Sequence, residues 1–294
     1  MSKQKNKYKG YMGPVDITGI GQYFGLARPF NTDDKVTRFV LLATVLAFCA
    51  EAAWKLFQNV PTYDACMAGV SVGFSLLFSF MLGMELDPDR KIGGVIGGVL
   101  AMVWAFWQGE PNFIVMLLLI FVLRMLNRSS GDRHKILDNV LMLLCAWWLG
   151  QDGGWLYPMM LGAAYIIESQ LNNGFFYSLY LAAFAFGTLW FSNGISKEPA
   201  ALSIPYIAIL AASIILFLPM LRMSVLVEAR GDRDGRRLDG KRLRAGNLFF
   251  LVTMFFITFF QGDVQGQNLA PAIFTAAGVG LYLVYDLGQK RNKS

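Results

Sequence analysis

Apolar residues fall along this chain in long runs of fifteen to twenty-two, each closed by a short polar or Gly/Pro stretch. A helix crossing ~30 Å of hydrocarbon needs about twenty apolar residues, so the runs predict membrane-spanning helices. They place segments at 37–58, 65–84, 92–109, 112–127, 136–150, 155–171, 174–192, 203–223, 245–262 and 269–287. Stretches such as Gly109-Glu110-Pro111-Asn112, Gln151-Asp152-Gly153-Gly154 and Ser192-Asn193-Gly194 supply turn chemistry between them. The fifth and sixth segments are short enough to form a re-entrant pair instead, and losing both leaves the other orientations unchanged.

The expected fold is an all-α polytopic transmembrane helical bundle of about ten spanning helices (eight to ten). A basic interfacial arm occupies 1–36, one transmembrane helical domain 37–287, and a short basic tail 288–294. Charge sets the orientation. With the N-terminus inside, 24 of the 26 Lys and Arg fall on the cytoplasmic side, leaving only Lys55 and Lys197 outside. That split matches the positive-inside rule with the N-terminus and C-terminus both cytoplasmic. Trp54, Trp104, Trp107, Trp147, Trp148, Trp155 and Trp190 all fall at the outer ends, where an indole keeps its ring apolar and its N–H wet.

Composition agrees: 55% of residues are hydrophobic and 16% charged, against about 25% charged in a soluble domain. The first 35 residues show no signal-peptide pattern, so the first helix is expected to be an uncleaved anchor of a bacterial-type plasma membrane protein. Within the arm, Ile17, Ile20, Phe24 and Leu26 are spaced for a short interfacial helix that its glycines make marginal; a mobile surface arm is the equal alternative. Cys49, Cys66 and Cys145 lie in apolar runs without paired spacing and read as small core residues.

Several chemistries lack their residues. The only histidine, His134, sits in a cytoplasmic loop, which removes bis-histidine haem, His-based catalysis inside the membrane and HExxH zinc chemistry. No lysine lies in a late helix to carry a Schiff base, and no GxxxxGK[ST] loop is present. No metal, cofactor or nucleic-acid partner is expected. Glu51 is the one carboxylate well inside a span, and its favourable i,i+4 neighbour Lys55 marks an interfacial pair.

What chemistry there is lies in charged cytoplasmic loops at 85–91, 124–135 and 222–244. In VEARGDRDGRRLDGKRLRAG, residues 227–246, Glu228 and Asp232 are interleaved with arginines that include Arg230. A purely basic anchor would carry no acids, so this loop is expected to pair with other loops. The stretch MELDPDRK brings Glu85, Asp87, Asp89 and Arg90 out of the second helix together. On the fourth segment Arg124, Asn127 and Arg128 share one helical face suited to a phosphate. Glu168 lies in an internal loop without Lys or Arg and needs a partner, either Arg124 or an arginine of 228–244. With Asn127 set aside, these ten charged residues are the candidate ligand or lipid-headgroup set. Gly93 with Gly97, and Gly94 with Gly98, form two GxxxG pairs for close helix packing, within the chain or between copies.

Three functions fit. The first is a transporter, or a protein translocating a lipid or small molecule, with an anionic-headgroup-binding cytoplasmic face. The count of five segments plus five suits an inverted-repeat transporter, although the charged landmarks of the halves do not align. The second is a membrane-embedded enzyme acting on a lipid or polyprenyl-phosphate headgroup, which requires the charged loops to converge. The third is a non-catalytic subunit or scaffold. Expected partners are anionic membrane lipids and, for a scaffold, a second copy or another membrane protein.

Overall fold

The computed structural model describes residues 23–27, 32–109, 111–151, 153–192 and 202–291, with backbone alone at 263–266 and 291. Among them are ten helices: α1 Lys35–Phe57, α2 Thr62–Leu86, α3 Lys91–Gln108, α4 Phe113–Asn127, α5 Ile136–Gln151, α6 Leu156–Gln170, α7 Ser178–Gly187, α8 Ile204–Met223, α9 Gly240–Gly262 and α10 Gln267–Lys290. Six of these, α1 to α3 and α8 to α10, are long and apolar enough to cross a membrane. The chain is thus an all-α, multi-pass integral membrane protein by its helix composition. Most of the proposed arm, 1–22, lies outside the described residues, as do Lys197 and the last three residues of the tail.

The helix boundaries have local causes. The Asp34 carboxylate accepts from the Thr37 amide at the start of α1, and the Asn112 side chain accepts from the Ile114 amide at the start of α4. Helix α4 stops where Arg128 turns left-handed, at φ 52°. The last two helices form one helical run broken at Gly262, whose φ of 76° is open to glycine. The fifth and sixth segments form two separate helices of 16 and 15 residues, rising only about 23 Å each. The seventh is shorter than its apolar run: α7 begins at Ser178 and passes into a 3₁₀ turn at Thr188–Phe191.

Glycine sets the tightest packing. Helix α3 is sandwiched between α2 and α10. A Cβ on Gly94 would lie 3.0 Å from the Phe80 carbonyl, and one on Gly98 2.8 Å from that of Leu76. On the other face, a Cβ on Gly97 would lie 2.6 Å from the Thr275 Cα, and one on Gly93 2.9 Å from the Val279 Cα. Each GxxxG pair is therefore filled by a helix of the same chain. Ser79 and Thr275 both donate to the Pro271 carbonyl, at 3.2 and 2.7 Å, tying α2 to α10. The main core runs through α2, α4, α5, α6, α9 and α10, with Leu82, Ile120, Tyr165, Phe250 and Ile273 fully enclosed.

Two expectations change. Only Cys145 is buried; Cys49 and Cys66 face outward from α1 and α2, where an apolar thiol suits a lipid-facing surface as well as a core. Trp104 packs against Tyr206 and Phe274, with ring centroids at 5.8 and 5.4 Å, instead of standing free in a belt. Glu51 is buried with Lys55 Nζ at 3.7 Å, the i,i+4 pair the sequence indicates.

Candidate functional site: an ionic collar at one end of the bundle

The last turn of α2 delivers Glu85 into the interior. Arg124 Nε donates to Glu85 Oε1 at 3.0 Å, and the Ser129 hydroxyl donates to Oε2. Asn127, one turn after Arg124, donates to the Glu85 carbonyl at 2.8 Å. This works because Arg124 and Asn127 share a face of α4, while the left-handed Arg128 swings Ser129 back over the helix end. Glu85, Arg124, Asn127 and Ser129 are all buried.

A second carboxylate, Glu168, ends α6 and is fully buried. Its Oε1 accepts from Arg128 at 2.8 Å and Arg242 at 3.2 Å, and its Oε2 from the Phe175 amide at 3.0 Å and Ser178 Oγ at 2.8 Å. Its partner in the 228–244 stretch is thus Arg242, joined by Arg128 in place of Arg124. The rest of the Arg242 fork closes the open carbonyls of Leu126 and Met125 at the end of α4, and that of Asn172. His134 stands beside this cluster, bridging Asn139 Oδ1 at 2.8 Å and Ser178 Oγ at 3.1 Å. The early turn at 171–174, left-handed at Asn173, is what carries Phe175 and Ser178 to Glu168 and shortens α7.

Around these two buried centres the loops lock together. Asp87 accepts from Arg90 at 2.9 Å, and Arg90 also reaches Asp286 on α10 at 3.1 Å. Burial pushes the Asp87 carboxyl up even against that arginine. Burial alone would lower Arg90, but Asp87 and Asp286 hold it above its usual range. Asp89 is exposed and accepts from the amides of Glu228 and Ala229, at 3.0 and 2.7 Å, while the Glu228 side chain points to the surface. Residues 230–237 form a small hairpin with an antiparallel bridge between Arg230 and Arg237. The Asp232 and Arg233 amides donate to the Ser129 and Ser130 carbonyls. Burial raises Asp132, yet Lys135, the Arg133 amide and Arg233 outweigh it and leave the carboxyl below its ordinary range.

The same end grips the segment Tyr23 to Ala27. Asp138 accepts from the Gly25 amide at 2.6 Å and the Leu26 amide at 3.2 Å. Arg124 donates to the Leu26 carbonyl at 3.3 Å, and Arg233 donates to those of Phe24 and Ala27 at 3.2 and 3.3 Å. Leu26 itself is wholly enclosed in the main core. A Cβ on Gly25 would lie 1.9 Å from the Arg133 carbonyl, so only glycine fits.

All ten candidate residues lie at this end, and the structure brings the four loops together. Glu85 and Arg124 form one buried pair, Arg128 and Glu168 belong to the second centre, and Asp87 and Arg90 flank them. Asp89, Glu228, Arg230 and Asp232 fasten the outer hairpin. Sequence reasoning did not single out Arg242, Ser129, Ser178 or Asn247, whose amide donates to the Leu86 carbonyl at 3.1 Å. The signal for Arg242 was the isolation of Glu168; the others are non-local neighbours without a motif. No family model, curated protein or solved structure matches the chain.

Proposed function

We propose that this protein moves a small molecule or a lipid across a bacterial-type plasma membrane, with both termini inside and the ionic collar as its closed cytoplasmic gate. One observation carries the reading: Glu85 and Glu168 are buried at the charged end of the bundle and together tie α2, α4, α6, α9 and the arm segment to one another. Buried ion pairs return little net stability over apolar packing, yet losing one partner is costly. Such pairs suit a closure with two definite states better than they suit a permanent core. The charge split along the sequence supports the orientation.

The test is proteoliposomes carrying fluorescent NBD-phosphatidylethanolamine or NBD-phosphatidylglycerol, with dithionite bleaching as the readout. Bleaching beyond the outer leaflet supports lipid movement. In parallel, a single cysteine placed at Ser79 in a background lacking Cys49, Cys66 and Cys145 is labelled with a membrane-impermeant maleimide. Glu168→Gln should speed its labelling from the collar side. No bleaching and no change in labelling together overturn the reading.

The convergence of carboxylates and arginines favours a second reading, an enzyme acting on a lipid headgroup. In that case Asp87→Asn and Arg230→Gln abolish turnover of a phospholipid or polyprenyl phosphate with folded yield intact.

A further inference from the structure

Arginines first considered for a headgroup are occupied within the chain: Arg124 by Glu85, Arg128 by Glu168, and Arg90 by Asp87 and Asp286; Arg242 is likewise taken by Glu168. Of the described cations that are not, three lie at the ends of α8 and α9. The side chains of Arg222, Lys241 and Arg244 are exposed and form no ion pair or hydrogen bond with another described residue. We infer that these three form a headgroup site for an anionic phospholipid, on the outer face of α8 and α9 where it meets the collar.

Placement carries the inference. On α8 the outward residues Ile204, Ile207, Ala211, Ile215 and Leu218 follow helical spacing and end on Arg222. On α9 the outward residues Phe255, Val252 and Leu248 continue in the same way to Arg244 and Lys241. Two exposed apolar stripes, on helices that pack together, therefore each run to a basic end beside the collar. The helices are adjacent there: the Phe217 and Phe250 rings meet at 5.9 Å, and Asn247 donates to Ser224 Oγ at 2.7 Å. A Cβ on Gly240 would lie 2.5 Å from the Val225 carbonyl, which sets Lys241 beside the turn that follows Arg222. Between the cations, Val225 and Leu226 are 45% and 63% exposed.

This combination fits one occupant. Three like charges at the end of an apolar surface repel one another unless an anion joins them. A phospholipid brings that anion at headgroup depth and acyl chains for the stripes below. The nearest acid in sequence, Asp239, is already taken by Asn172 and the Lys241 amide. The site deepens the lipid part of the proposed function but needs only that the chain is embedded in a membrane.

The test is native mass spectrometry of delipidated protein titrated with POPG or POPC. The wild type should retain POPG over POPC. Each single variant, Arg222→Gln or Arg244→Gln, should weaken POPG retention about fivefold, and the triple variant with Lys241→Gln roughly a hundredfold. Arg236→Gln, an equal charge loss on the exposed hairpin, should leave it unchanged. Should the triple variant fail to fold, the single variants and the lysine replacements R222K and R244K, which should retain POPG, decide the matter. Equal retention of POPG and POPC, or equal losses in R222Q and R236Q, overturns the site. A wild type that shows no preference for POPG yet moves NBD-lipid sinks this site and leaves translocation standing; a wild type that prefers POPG but moves no lipid does the reverse.

Discussion

Glu168 and Arg242 are 74 residues apart in sequence and 3.2 Å apart in space, one ending α6 and the other in the first turn of α9. Neither side chain reaches water, so each is tolerable only because the other is there.

Removing one of them should be severe. Arg242→Met is expected to lower stability by about 3–5 kcal/mol, since Arg128 would then be the one arginine on a buried carboxylate, and two carbonyls at the end of α4 and that of Asn172 would lose a donor. Thermal unfolding of the detergent-solubilised protein measures this. A melting temperature within a degree of wild type would show that the pair is not buried in the folded protein.

Gly25→Ala should release the segment gripped by Asp138, because the added methyl meets the backbone carbonyl of Arg133 and no side chain can yield. The expected readout is faster hydrogen exchange at the Gly25 and Leu26 amides and new protease cleavage near residue 25. Leu26→Ala keeps those backbone bonds but removes a core side chain, at a cost of about 2–5 kcal/mol.

The helix α3 interface predicts a sharp contrast between glycines. Gly97→Leu should abolish folded yield, since its Cβ already crowds the backbone of α10. Gly288→Leu, where a Cβ has nothing within 4 Å, should express like the parent. Size-exclusion profiles of the two decide it, and similar yields would contradict the packing described.

Acid should act on Asp132 and Asp87 in opposite senses. The Asp132 carboxyl lies lower in the folded chain than in the unfolded one, so its contribution is present above pH ~4 and fades as the pH falls through its folded value. The Asp87 carboxyl is raised, so the folded chain binds that proton more tightly and gains stability as the pH falls through it. In melting curves from pH 7 to pH 3, Asp132→Asn should flatten the acid limb and Asp87→Asn should steepen it. Parallel limbs in all three proteins would refute both assignments.

Much of this fold is written in local pattern. The apolar runs, their Gly and Pro breaks and the caps at Asp34 and Asn112 need only neighbouring residues, and the helices follow them closely. Glu168 was also legible, because an isolated carboxylate between apolar runs demands a cation. The truncation of α7 was not, since hydrogen bonds from Phe175 and Ser178 to a residue on another helix decide it. Nor was the seat of Tyr23 to Ala27: it is held through its main-chain groups, which every sequence has. Glu85 and Asp87 looked alike in the sequence, yet Glu85 is enclosed by Arg124 and Ser129 while Asp87, also buried, shares its arginine, Arg90, with Asp286 on α10.

The collar also has an order in time. Glu85 meets Arg124 and Ser129 as soon as α4 and the turn after it have been synthesised, and this pair can close while the rest of the chain is still on the ribosome. Glu168 emerges with Arg128 already waiting, which neutralises it during insertion of α6. Arg242 arrives only after α8 has been made, and with it the last donors for the end of α4. The end of α4 therefore stays incompletely capped through most of translation, and α9 is the element that brings its last donors.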